Sequence, residues 1–185
     1  MNTLYQRLAG ESISDALLRL EADIKARPAD ADLRAAFVQF LILSGNWARA
    51  LTQLKSWLAL KPQAKPTVTL LEQAIQGEQQ RARVFAGEAR PAMPEAQWPW
   101  LTTLATALTE SAGNAQTLRL AALEQAPASR GQVTLENEES HTFEWLMDGD
   151  ARLGPVCETL VNGRYFWVPF CAIDAIRSEE HTSEL

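Results

Sequence analysis

The chain has 185 residues, 46% of them hydrophobic and 22% charged, with a formal net charge of −6. This is the composition of an ordinary globular protein that can bury a core, as one domain or two small ones. No segment reaches the roughly 18 consecutive apolar residues that a membrane-spanning helix needs, and the acidic balance argues against nucleic acid as the main partner.

The N-terminus, Met1-Asn2-Thr3-Leu4-Tyr5-Gln6-Arg7, runs into an amphipathic pattern with no apolar leader core, so a cytoplasmic location is expected. Ser12 to Lys25 then reads as a helix. Asp30 or Asp32 is a suitable cap for the one that follows. Three landmarks recur 34 residues apart: Ala16 with Ala50, Leu20 with Leu54, and Pro28 with Pro62. That is the tetratricopeptide period. Within the unit from Ala31 to Ala64, Phe37, Val38 and Leu41 share one face of a first helix. Ser44-Gly45-Asn46-Trp47 makes the turn, Ala50, Leu51, Leu54, Trp57 and Leu58 fill a second helix, and Lys61-Pro62 ends it. Small Ala50 lets the paired helices approach closely. Thr67 to Phe85 is a further helix, Gly87 to Pro94 a break, and Trp98 to Ala126 a degenerate hairpin turning at Gly113-Asn114. Helical repeats of this kind present a concave surface to peptides or helices. On the clearest unit, Asp32, Ala35, Gln39 and Leu43 occupy the side where such folds bind partners.

After Ser129-Arg130-Gly131 the periodicity becomes that of strands. Gln132 to Leu135 alternates, as does His141 to Trp145, and Asp148-Gly149-Asp150 signals a turn. Val156 to Val161 and Tyr165 to Val168 flank Asn162-Gly163, a strong hairpin signal. Pro169 suits the end of an edge strand. Cys171 to Ile176 is expected to begin another element, and Cys157 and Cys171 are expected to be buried free thiols. The expected fold class is α+β: helical repeats over 1–128 followed by a β-rich module over 129–177. The segment from Arg177 to Leu185 can be back-translated into a common sequencing-library adapter. Residues 178–185 are therefore expected to be a non-native tail that leaves the β-module incomplete, and His181 is given no function.

No catalytic constellation emerges. Glu144, Asp148 and Asp150 lack the glycine and glutamate spacing of a calcium loop. His141 has no second histidine at metal spacing, and the cysteines do not form a C-x-x-C pair. Neither a G-x-S-x-G elbow nor a phosphate-binding G-x-x-x-x-G-K-[ST] loop occurs. The expectation is a protein that is not an enzyme, with no cofactor, metal or small-molecule substrate.

Phe143-Glu144-Trp145, Asp150-Ala151-Arg152-Leu153-Gly154-Pro155-Val156 and Asn162-Gly163-Arg164-Tyr165-Phe166-Trp167-Val168-Pro169-Phe170 together resemble the signature of the ImpE/SciE family, whose members are also called TagJ. The resemblance implies a cytoplasmic accessory protein of bacterial type VI secretion systems. Its implied partners are the small subunit of the contractile sheath and the AAA+ ATPase that disassembles spent sheaths. Gly154, Pro155, Gly163 and Pro169 are expected to shape turns and strand ends, and Arg152, Arg164, Tyr165 and Trp167 to serve the fold rather than a ligand. The alternative is a peptide-binding co-chaperone or assembly scaffold unrelated to secretion.

Overall fold

The structure, a computed structural model, describes residues 10–94, 98–135 and 138–176. The expected non-native tail at 178–185 lies outside them. The fold is α+β, with six α-helices among the described residues followed by two small antiparallel sheets. Packing divides the chain into two compact units, one reaching Gln76 and the other starting at Gly77. The boundary at 128/129 marks where helical periodicity gives way to strand periodicity, and the division by packing falls elsewhere, inside a helix.

In the first unit, α1 spans Ile13–Ala26, α2 spans Ala31–Leu43, α3 spans Trp47–Leu60, and α4, Lys65–Phe85, begins. Local chemistry sets the starts. Ser12 Oγ accepts the backbone N–H of Asp15 at 3.1 Å, and Asp30, not Asp32, caps α2 by accepting from the N–H groups of Asp32 and Leu33. The 34-residue spacing reappears in the helix bounds: α1 and α3 start at residues 13 and 47, α2 and α4 at 31 and 65. Both α1 and α3 close with a cap N–H bond of 2.9 Å, from Arg27 to the Asp23 carbonyl and from Lys61 to that of Trp57. A proline follows each. The recurring residues are the buried ones, for Ala16 and Ala50 are both 0% exposed, and Leu20 and Leu54 are 1% and 0%.

Between α1 and α3 lies α2, which packs against both. Leu33, Ala36, Phe37, Val38, Phe40 and Leu41 are all buried, so this helix is apolar on most of its circumference.

The second unit contains the rest of α4, then α5 (Pro99–Thr106), a 3₁₀ turn, and α6 (Ala112–Gln125). Gly113 and Asn114 lie inside the first turn of α6, so the expected turn there is displaced to Glu110-Ser111, ahead of the helix. Strands β1 (Gly131–Thr134) and β2 (Ser140–Phe143) form one hairpin, with Gly131 opposite Phe143 and Thr134 opposite Ser140. Strands β3 (Val156–Val161) and β4 (Arg164–Pro169) form the other, with Val156 opposite Pro169 and Val161 opposite Arg164. Asn162 and Gly163, at φ +51° and +77°, make the two-residue turn whose twist matches that of the strands. Only Asn, Asp and Gly tolerate that conformation cheaply, which is why Asn-Gly was legible as a hairpin. Cys171 to Ile176 does not form a strand: Phe170–Ala172 is a single 3₁₀ turn.

The two hairpins differ in burial. Tyr165 and Trp167 of β4, Val156 of β3 and Leu153 join Val84, Trp100, Leu101, Leu104 and Ala122 in a common core. Every residue of β1, by contrast, is exposed, and in β2 only Phe143 is half-buried.

Leu20→Ala and Leu54→Ala should each lower stability by about 2–5 kcal/mol, the usual cost of truncating a buried leucine. Leu18→Ala, at a position 66% exposed, should change it by less than about 0.5 kcal/mol. Urea denaturation midpoints at constant slope measure all three.

Candidate functional site

Two residues of the signature, Tyr165 and Trp167, are joined in the second unit to one carboxylate, Glu158 of β3. Arg81 of α4 approaches it side-on, with Nε donating to Oε1 at 2.6 Å and Nη2 to Oε2 at 3.2 Å. The hydroxyl of Tyr165 also donates to Glu158 Oε1 and accepts the indole N–H of Trp167 at 2.8 Å. Both aromatic residues are essentially buried, at 1% and 0% exposure. Such groups need partners, because a buried donor left unpaired costs about 1–3 kcal/mol.

The outer edge of β4 is closed in the same neighbourhood. Gln80 Oε1 accepts the backbone N–H of Tyr165 at 2.9 Å. Ala92 donates to the Tyr165 carbonyl and accepts from the Trp167 N–H, both at 2.9 Å. Pro169 ends β4, an edge strand of a two-stranded sheet whose outward groups at Tyr165 and Trp167 are met by Gln80 and Ala92.

Arg152 is held by its neighbour. Its Nε lies 3.0 Å from both oxygens of Asp150, which also accepts the Arg152 backbone N–H at 2.9 Å. Both Arg81 and Arg152 place their guanidinium groups over the ring of Phe85, at 4.8 and 4.3 Å from its centre. Gly154 follows at φ +59°, and a Cβ there would meet the Leu123 side chain at 3.0 Å, so this turn admits glycine alone at low cost.

Electrostatics make the cluster a closed set. Burial pushes the Glu158 carboxyl up, but the hydrogen bonds from Arg81 and Tyr165 outweigh it and hold the group below its ordinary range. Tyr165 is pushed up by burial and by its bond to Glu158, so it stays a phenol and a donor. Asp150 falls to about 2, mainly through the Arg152 side chain and then its backbone N–H. Each charge has its counter-charge, and no group stands poised near neutral pH to exchange a proton. Arg152, Tyr165 and Trp167 thus make the fold contacts expected of them, and Arg164 stacks on Phe166 with its guanidinium 5.0 Å from the ring centre.

Sequence reasoning missed Arg81 and Gln80. Nothing marks them locally, because their partners lie 77 and 85 residues away. Glu158 did carry a signal, as the one charged residue of β3, Val156–Val161. The cysteines are free, with Cys157 half-buried, but Cys171 is exposed, which corrects the expectation of two buried thiols. Cys171 lies on the 3₁₀ turn Phe170–Ala172, none of whose residues is buried. No cluster of metal-ligating residues occurs among the described residues.

The four partner-binding candidates lie along α2 in the first unit. Asp32 is exposed but paired with Lys61 at 3.3 Å. Ala35 packs against the core, whereas Gln39 and Leu43 face solvent, Leu43 at 51% exposure. Trp145 of the signature is likewise 52% exposed.

The geometry defines an α+β protein whose most elaborate polar cluster is a structural clamp. Residues 140–185 match the family model described as ImpE protein. It is 37% identical over 171 residues to the type VI secretion system accessory component TagJ of Pseudomonas aeruginosa, an alignment covering 90% of this chain and 59% of that protein. The crystal structure of protein VPA1032 from Vibrio parahaemolyticus superimposes with a TM-score of 0.76 at 25% identity, covering 91% of this chain and 63% of that one. The chain thus spans about three-fifths of the length of these relatives.

Tyr165→Phe removes the acceptor of a buried indole and one donor to Glu158, and should cost about 1–3 kcal/mol in urea denaturation. The carboxylates set the acid limb. A group whose folded pKa is depressed stabilises the fold above its unfolded value and loses that contribution as pH falls through the folded one. Stability should therefore be flat above about pH 5 and decline as pH falls from about 4 towards 2. Glu158→Gln should flatten part of that decline, as read from urea midpoints across the pH series.

Proposed function

We propose that this protein is a non-enzymatic adaptor of a bacterial type VI secretion system, acting in the cytoplasm through contacts with other proteins. The observation that carries this is its 37% identity, along nine-tenths of the chain, to a protein named as an accessory component of that system. The self-neutralising state of the Glu158 cluster supports it, since the most connected polar residues are committed to the fold. The hairpins of the first unit are read as tetratricopeptide-like, which the 34-residue offset between helix starts supports.

In this reading the exposed residues of α2 meet a short helix or peptide of the contractile sheath small subunit or of the AAA+ sheath-disassembly ATPase. Gln39 and Leu43 are the contacts. Asp32 takes part through its ion pair with Lys61, and Ala35 seats the helix.

The test is immobilised binding of the folded protein to the purified small sheath subunit and to the ATPase. Saturable binding to at least one is expected, and the double variant Gln39→Arg/Leu43→Asp should weaken it tenfold or more without changing the urea midpoint. Binding to neither overturns the function. Undiminished binding of the double variant overturns the site.

A further inference from the structure

The second unit holds a cleft of about 940 Å³, within the size range of ligand sites. Phe143, Leu146, Phe170 and Ile173 line it, and each is only half-buried, so the wall keeps apolar and aromatic surface open. Two charged residues stand in the same wall, Arg130 and Asp174. Arg130 is already answered, with its Nε 2.7 Å from the Glu144 carboxylate. Asp174 is exposed, and no ion pair or hydrogen bond engages its carboxylate among the described residues.

The charge of the surrounding chain has one sign. From Gly131 to Ile176 there are eight acidic residues against two arginines, with no lysine. Both arginines are committed, Arg152 to Asp150 and Arg164 to the ring of Phe166. The local field therefore favours a cation. An anionic ligand would meet Asp174 with nothing to offset it, and a wholly apolar one would strip water from a carboxylate without replacing it. An ammonium is compact and strongly hydrated, so it gains little from aromatic walls. A guanidinium is planar and weakly hydrated, stacks on aromatic rings, and matches a carboxylate with two parallel N–H groups.

We infer that this cleft is a socket for an arginine side chain of a partner protein. Asp174 takes the guanidinium, and the rings of Phe143 and Phe170 take its plane and stem. The cleft is several times the volume of one side chain, so residues flanking the arginine enter with it. Leu146 and Ile173 make those flanking residues apolar, which points to a peptide segment and not to the free amino acid. The socket lies in the second unit and not on α2, and it does not rest on the secretion-system reading.

The probe is acetyl-Leu-Arg-Leu-amide, titrated at low salt into the isotope-labelled chain and followed by NMR. Saturable shifts at Phe143, Leu146, Ile173 and Asp174 are expected. The citrulline analogue keeps the shape and loses the charge, and should bind about threefold to tenfold more weakly. Asp174→Asn removes no described contact of the fold. It should leave the urea midpoint unchanged and abolish the preference for arginine over citrulline. No saturable binding, equal binding of the citrulline peptide, or a preference that survives Asp174→Asn overturns the inference. Acetylarginine amide binding as tightly as the peptide also overturns it, because that assigns the cleft to a free arginine derivative.

Discussion

The second unit depends on the hydroxyl of Tyr165. It accepts from the Trp167 indole and donates to Glu158, whose carboxylate is in turn held by Arg81. Two of the largest side chains of the chain can be buried because this relay carries their polar atoms outward to a half-exposed guanidinium. Each link supports the next. The carboxylate would be costly to bury without the arginine, and the indole would lack an acceptor without the phenol. The same strand has its outward groups at Tyr165 and the Trp167 N–H met by Gln80 and Ala92.

That closure explains what the ImpE-type segments between Asp150 and Phe170 do. Leu153 and Val156 enter the core, Gly154 makes a turn at positive φ against the Leu123 side chain, Asn162-Gly163 reverses the chain, and Tyr165 and Trp167 are anchored as described. A cluster rich in Arg, Glu and Tyr invites a catalytic reading. The mutual neutralisation of Arg81 with Glu158 and of Arg152 with Asp150 argues for a rigid support instead. The exposed groups lie elsewhere, at Gln39 and Leu43 on α2, at Trp145, and along β1.

The first unit is built on a different rule. Repetition of small and large apolar residues at fixed offsets puts Ala16 and Ala50, and Leu20 and Leu54, at equivalent buried points of α1 and α3. Between them α2 has little polar surface left. This confines any contact through that helix to a narrow strip, and the packing of Ala35 and the ion pair of Asp32 narrow it further.

Much of this was legible in the residue pattern, because periodicity, capping and turn chemistry act over a few residues. The helices, the 34-residue offset, the Asn-Gly hairpin and the family signature all follow from local order. The turn at Gly113-Asn114 failed because it rested on propensity with no knowledge of the packing, which started α6 earlier. The element expected from Cys171 is a single 3₁₀ turn over Phe170–Ala172. Only the tertiary structure could bring Arg81 and Gln80 to a hairpin some eighty residues later. A salt bridge leaves no trace in sequence spacing when its partners lie on different elements. The chain alone determined which segments fold and which family they resemble. Packing decided which of the polar residues are spent on holding the fold, because that depends on what surrounds each group once water has been excluded.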